Sequence, residues 1–145
     1  MKLSYVLDTD VVVAALRSET GASRQLLLAG LDGVFELLLS VPLIIEYEAV
    51  LTRSAQLNAC GLTQMDVERI LDILVKAARP VTITFRWRPW LSDPDDDMIL
   101  ETAIHGNANA IVTFNQRDFE DVERDFGCAV ILPSVALQQI RSLMQ

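Results

Sequence analysis

The chain alternates short, continuous apolar runs with longer segments in which apolar residues recur every three or four positions. Short apolar runs bounded by turn residues are typical of strands that are buried on both faces. They predict strands over Leu3–Leu7, Val34–Leu39, Val81–Phe85, Ala110–Phe114 and Ala129–Leu132. Strands that alternate with helices predict a three-layer α/β/α fold with a central parallel sheet.

The segments between these runs carry the signals of helices. Helices are predicted over Val11–Leu16, Ser23–Leu31, Pro42–Arg53, Val67–Val75, Pro94–Ala103 and Pro133–Met144, with a short helix or turn over Asp118–Phe126. Asp8 and Ser23 stand where N-caps are expected, and Thr63 with Asp66 resembles a capping box. No linker or repeat divides the chain, so we expect a single domain over residues 1–145.

Composition excludes several classes of protein. The chain has 145 residues, of which 51% are hydrophobic, and this is too apolar for intrinsic disorder. Its two cysteines, Cys60 (expected in a loop) and Cys128 (expected in the core), cannot form a disulfide framework, and the single histidine, His105, excludes a multi-histidine zinc site. The chain start lacks the features of a signal peptide, and Leu37–Ile45 is too short to span a bilayer. We therefore expect a cytoplasmic protein that does not engage a membrane.

The net charge of −8 is concentrated in one part of the sequence. Residues 93–125 contain ten acidic and two basic side chains, whereas the rest of the chain is balanced. A charged run of this kind is usually a solvent-exposed face. Clustered carboxylates also bind hard divalent cations, so a metal site is the second interpretation.

Polar oxygen-bearing residues follow the predicted strands or lie within about one turn of the start of the predicted helices. They are Asp8, Glu46, Asp93, Asp96, Asp97, Asn115 and Asp118. In open α/β folds these positions meet at the carboxyl edge of the sheet. Oxygen ligands without histidine or cysteine favour Mg²⁺ or Mn²⁺. Each residue also has a structural interpretation, since Asp8 and Asp93 suit N-caps and Asn115 suits a turn.

The segment Arg86, Trp87 and Arg88 alternates basic and aromatic side chains just before the acidic run. Such a pattern can stack nucleobases and contact phosphates. The alternative is that the tryptophans cover the core or a dimer interface. No glycine-rich phosphate loop and no serine-hydrolase elbow are present in the sequence, which argues against nucleotide cofactors bound by such loops and against a catalytic triad.

Four segments in order resemble the PIN-domain family, and in particular the VapC-like toxins of toxin–antitoxin pairs. They are VLDTDVVVAAL, VPLIIEYEAVLTR, SDPDDDMILETAI and AIVTFNQRDF. The resemblance implies a PIN-like fold over the whole chain and a Mg²⁺- or Mn²⁺-dependent ribonuclease that hydrolyses RNA through a metal-activated water. It also implies a homodimer and a basic antitoxin protein as partner.

The resemblance also implies roles for individual residues. Asp8, Glu46, Asp96 and Asp118 match the catalytic acids; Asp8, Asp93, Asp96, Asn115 and Asp118 match metal-binding positions; Thr9 and Thr113 match positions that order the site. Glu48 is the alternative to Glu46, and Asp93 or Asp97 to Asp96. Two departures from the family pattern are Asp10, where asparagine is more common, and the neutral Asn115, so one-metal and two-metal sites both remain open.

Two other functions fit the same residues. One is a catalytically weak PIN-like module that binds a partner protein, which the neutral Asn115 favours. The other is a PIN nuclease that acts in RNA or DNA processing without an antitoxin.

Overall fold

A parallel sheet with the strand order β3-β2-β1-β4-β5 forms the centre of the structure, a computed structural model that describes residues 2–84 and 94–144. The strands are β1 (Ser4–Leu7), β2 (Glu36–Leu39), β3 (Arg79–Pro80), β4 (Ala110–Val112) and β5 (Ala129–Ile131). Helices cover both faces of the sheet. The predicted three-layer α/β/α architecture with a parallel sheet is confirmed.

The helices follow the predicted order, with one addition. They are α1 (Thr9–Arg17), α2 (Ala22–Leu31), α3 (Val41–Leu51), α4 (Ser54–Cys60), α5 (Gln64–Ala77), α6 (Pro94–Gly106), α7 (Val122–Phe126) and α8 (Pro133–Leu143), with a 3₁₀ helix over Gln116–Phe119. The predicted capping box is confirmed, because Thr63 and Asp66 exchange hydrogen bonds at the start of α5. In the described part of the chain, no helix is long and apolar enough to cross a membrane.

The central strands set the position of the polar residues that follow them. Every residue of β1 and β4 is buried, as expected for strands covered on both faces. The register pairs Leu7 with Val112, and the amide of Asp8 donates to the carbonyl of Val112 at 2.9 Å. Asp8 and Thr113 therefore leave the sheet side by side at its carboxyl edge.

The third strand was predicted at the wrong place. It is Arg79–Pro80 at the edge of the sheet, and residues 81–84 are not strand, while Phe85 lies outside the described residues. Pro80 is compatible with this position because an edge strand does not need every amide donor. Val81 donates to the carbonyl of Leu39 at 2.7 Å, and its buried side chain packs against Gly106. Its apolar, β-branched character reflects packing and not membership of the strand.

Two local predictions are also wrong. Ser23 is not the N-cap of α2, because the helix begins at Ala22 with Gly21 as its cap, and Ser23 is buried. Cys60 is not in a loop but is the last residue of α4, a short helix with no buried residues that hydrophobic periodicity could not detect. Cys128 is buried as predicted, and His105 lies half-buried on α6.

Candidate functional site

Asp8 is held rigidly at the junction of β1 and α1. The residue is 8% exposed, Oδ1 accepts from the amide of Thr9 at 2.7 Å, and Oδ2 accepts from Oγ1 of Thr113 at 2.8 Å. It is also the N-cap of α1. The structural and the functional interpretations of Asp8 are therefore compatible, because a cap that ends a central strand also presents a carboxylate at the sheet edge.

Asp10 lies beside Asp8 and was not among the predicted site residues. Its Oδ2 accepts from the amide of Phe114 at 3.2 Å and from Nδ2 of Asn115 at 3.0 Å. Its Oδ1 is buried and has no hydrogen-bond partner among the described residues. Burial, with the charge of Asp8 as a second cause, raises the pKa of Asp10 to about 6, although the backbone amides of Phe114 and Val11 oppose the shift. The two-residue spacing from Asp8 was the sequence signal for this position.

The segment after β4 supplies the other side of the site. The backbone amide of Asn115 donates to Oγ1 of Thr113 at 2.9 Å. Asp118, in the 3₁₀ helix, is exposed, and its charge adds to the raised pKa of Asp10. We call Asp8, Asp10 and Asp118 the acidic cluster. Its members come from two chain segments that only the pairing of β1 with β4 brings together.

Tyr47 connects α3 to the end of β1, next to this cluster. The fully buried Tyr47 donates its hydroxyl to the carbonyl of Leu7, directly before Asp8. Burial, followed by the charges of Asp8 and Asp10, raises its pKa well above the usual value. Its neighbour Glu46 is half-buried, whereas Glu48 is exposed. The assignment of Glu46 to the site remains a prediction.

Replacing Tyr47 with phenylalanine is expected to destabilise the protein by about 1 kcal/mol, the usual net contribution of one buried hydrogen bond. The ring keeps its volume, so the loss comes from the unpaired carbonyl at the end of β1. Urea unfolding of the two proteins measures the difference. An unchanged midpoint would mean that the hydroxyl does not anchor α3.

The acidic residues of α6 differ in burial. Asp96 is half-buried, Asp97 is 2% exposed, and Glu101, four residues later on the same helix face, is also buried. The helix packs against β1, β2 and β4. Asp93 lies outside the described residues. The choice among Asp93, Asp96 and Asp97 as the metal-binding acid therefore stays open.

The basic and aromatic segment Arg86, Trp87 and Arg88 also lies outside the described residues. Its predicted contact with substrate remains a prediction.

The donors of the acidic cluster fit a hard divalent cation, although they do not form a complete cage. Within residues 2–84 and 94–144, no three acidic, histidine or cysteine side chains form a group that could hold a metal ion. Mg²⁺ keeps several waters and commonly binds through one or two carboxylates. The buried, unpartnered Oδ1 of Asp10 beside the carboxylate of Asp8 supplies donors of this kind.

Replacing Thr113 with valine is expected to lower the affinity for Mn²⁺ by about 10- to 100-fold, the usual effect of removing a group that orients a metal ligand. The side chain keeps its shape but loses the bonds to Asp8 and from the amide of Asn115. Isothermal titration with Mn²⁺ measures the loss. Thr113→Ser, which keeps the hydroxyl, should retain the affinity, and equal weakening in both variants would contradict the assignment.

The comparisons with known proteins agree with this fold. The family model described as PIN domain matches residues 4–117. Among solved structures, the chain is similar to one chain in the crystal structure of VapBC2 from Rickettsia felis bound to a DNA fragment from their promoter. The TM-score is 0.59 at 16% sequence identity, over 88% of this chain and 97% of that chain. No curated protein matches the sequence.

Proposed function

Because the chain belongs to the PIN domain family, we propose that it is a metal-dependent endoribonuclease and the toxin of a toxin–antitoxin pair. The observation that carries the proposal is the acidic cluster, in which Asp10 keeps a buried oxygen without a hydrogen-bond partner among the described residues. The charges of Asp8 and Asp118 both raise the pKa of Asp10, and a carboxyl group crowded by like charges favours a bound cation. The oxygen-only donor set supports Mg²⁺ or Mn²⁺.

Each residue of the cluster has a distinct task in this proposal. A bound divalent cation supplies Lewis-acid activation of water and of the phosphodiester. Asp8, whose two oxygens accept from Thr9 and Thr113, would provide a carboxylate oriented toward the cation. Asp10 and Asp118 add negative charge from the two sides of the site, and Glu46 and Asp96 are the proposed further acids. No side-chain nucleophile is required, and burial raises the pKa of Cys128 to about 11, which leaves that thiol unreactive.

The proposed partner is a basic antitoxin. The VapBC2 structure that resembles this chain in fold contains a complex of that name, and the acidic residues 93–125 would attract a basic segment in a salt-sensitive manner. A homodimer and a cytoplasmic location belong to the same proposal. Size-exclusion chromatography with light scattering tests the homodimer, for which a monomeric mass is the contrary result.

Cleavage of a pool of structured RNAs by the purified protein tests the proposed activity. Discrete products are expected with Mn²⁺ or Mg²⁺ and none with EDTA. Cleavage of DNA but not of RNA would favour a processing nuclease that acts without an antitoxin. No cleavage, together with no change in melting temperature on adding Mn²⁺, would overturn the enzyme and favour the partner-binding module.

A further inference from the structure

A pocket of about 320 Å³ opens beside the acidic cluster. Its walls come from α1, from the first residues of α2 and α8, and from Phe114. The lining residues are mainly apolar, and three of them are serines, Ser18, Ser23 and Ser134. None of the roles assigned above uses this pocket.

Two helix N-termini face the pocket. Neither N-cap residue, Gly21 of α2 or Leu132 of α8, makes a side-chain hydrogen bond to its helix. The first amides of a helix have no partner within it, and the helix dipole places partial positive charge there. In α8 the first residue is Pro133, which has no N–H, so the amide donors there begin at Ser134. Helix N-termini of this kind commonly bind phosphate or other anions.

Ser23 provides a second and independent indication of a ligand. The residue is 4% exposed and lines the pocket. Its Oγ has no hydrogen-bond partner among the described residues. Because burying an unpaired hydroxyl is unfavourable, nearly all such groups in folded proteins have a partner. A ligand that accepts a hydrogen bond from Ser23 would satisfy it.

The pocket adjoins the acidic cluster along α1. Ala14 lines the pocket one helical turn after Asp10, on the same helix face. Four residues of helix rise about 6 Å. Phe114 connects the two sites directly, since its amide donates to Asp10 and the residue, which is 49% exposed, lines the pocket.

We propose that this pocket binds a backbone phosphate of RNA adjacent to the scissile one, with the base of that nucleotide stacked on Phe114. The inference rests on the proposed nuclease function. RNA is favoured over a free anion because the carboxylates of Asp8 and Asp10 repel an untethered anion, whereas a polynucleotide held at the cation brings its next phosphate to the pocket. An exposed aromatic ring beside a phosphate site is typical of single-strand recognition.

Binding of a short, fluorescently labelled, random-sequence single-stranded RNA tests the pocket, with Ca²⁺ replacing Mg²⁺ to limit cleavage. Ser23→Ala removes the hydroxyl, and Ala14→Leu fills the pocket from another element. Ser23→Ala is expected to raise the Kd about tenfold, the effect of losing one hydrogen bond to a charged group. Ala14→Leu should raise the Kd at least as much, because the larger side chain occupies the space of the phosphate. Ser54→Ala and Ala55→Leu, at exposed positions on α4, are the matched controls and should bind as the parent does.

The affinity for Mn²⁺ and the melting temperature separate a ligand role from a structural role. Because Ser23 Oγ has no partner within the described residues, Ser23→Ala should not lower the melting temperature, and both variants should bind Mn²⁺ normally. If both variants bind RNA as tightly as the parent while the parent still cleaves RNA, the proposed phosphate site is wrong and the proposed nuclease function stands. The phosphate site is also wrong if Ser23→Ala lowers both the melting temperature and the affinity for Mn²⁺, because the hydroxyl would then have a structural role. No RNA binding by the parent would overturn both proposals.

Discussion

Replacing Asp8 with asparagine is expected to reduce metal-dependent RNA cleavage by about 100-fold or more. Lewis-acid catalysis contributes several kcal/mol, and each 1.4 kcal/mol is about a factor of ten in rate. The substitution removes the charge of a carboxylate whose two oxygens are both held by hydrogen bonds at the carboxyl edge of the sheet. Cleavage rates at saturating Mn²⁺, with the change in melting temperature on adding Mn²⁺, measure the effect.

The fold should survive this change, since asparagine is as good an N-cap as aspartate and can still accept from the amide of Thr9. Asp72→Asn is the matched control, because it removes the same charge from an exposed position on α5. It should keep full activity. An Asp8→Asn protein that is folded and still cleaves RNA at the parental rate would show that Asp8 is not part of the active site.

Replacing Asp10 with asparagine is expected to lower Mn²⁺ affinity by about 10- to 100-fold, the effect typical of removing one metal-supporting group. The same change should make the metal-free protein more stable, because it removes a half-buried charge that Asp8 and Asp118 oppose. Titration calorimetry and metal-free unfolding give the two readouts. If Asp10 had a purely structural role, Asp10→Asn would lower the stability of the protein and leave its affinity for Mn²⁺ unchanged.

The gain in stability should depend on pH. The pKa of Asp10, about 6 in the folded protein, lies above its ordinary value of 3.8. Between these values the folded protein binds more protons than the unfolded chain, so metal-free stability falls as pH rises through this window and stays low above it. The difference in the free energy of unfolding between Asp10→Asn and the parent should therefore be largest above about pH 6 and shrink towards pH 4.

Exchanging the side chains of Asp10 and Asn115 tests whether the two residues act together. Nδ2 of Asn115 donates to Oδ2 of Asp10 at 3.0 Å, so the double variant Asp10→Asn, Asn115→Asp keeps one carboxylate and one amide in contact. It should recover part of the Mn²⁺ affinity that Asp10→Asn loses. Additive losses from the two changes would contradict this coupling.

The sequence predicted those elements that local patterns specify. Continuous apolar runs identified the central strands, and the Thr63–Asp66 pattern identified the start of α5. Local pattern failed where the tertiary structure overrides it. Val81 is apolar because it packs against Gly106, and α4 has no buried face that would give it a hydrophobic period.

By itself, the sequence determined the fold class and indicated the carboxylate residues of the candidate site. The apolar periods specify buried strands between helices, and carboxylates that follow those strands must gather at one sheet edge, because parallel strands all end there. Only the tertiary structure decided which groups meet. The β1–β4 register brings Asp10 to Asn115, residues 105 positions apart, and the packing of α2 against α8 brings two helix N-termini to one pocket. Contacts of this kind depend on side-chain burial and strand register, which spacing along the chain does not encode.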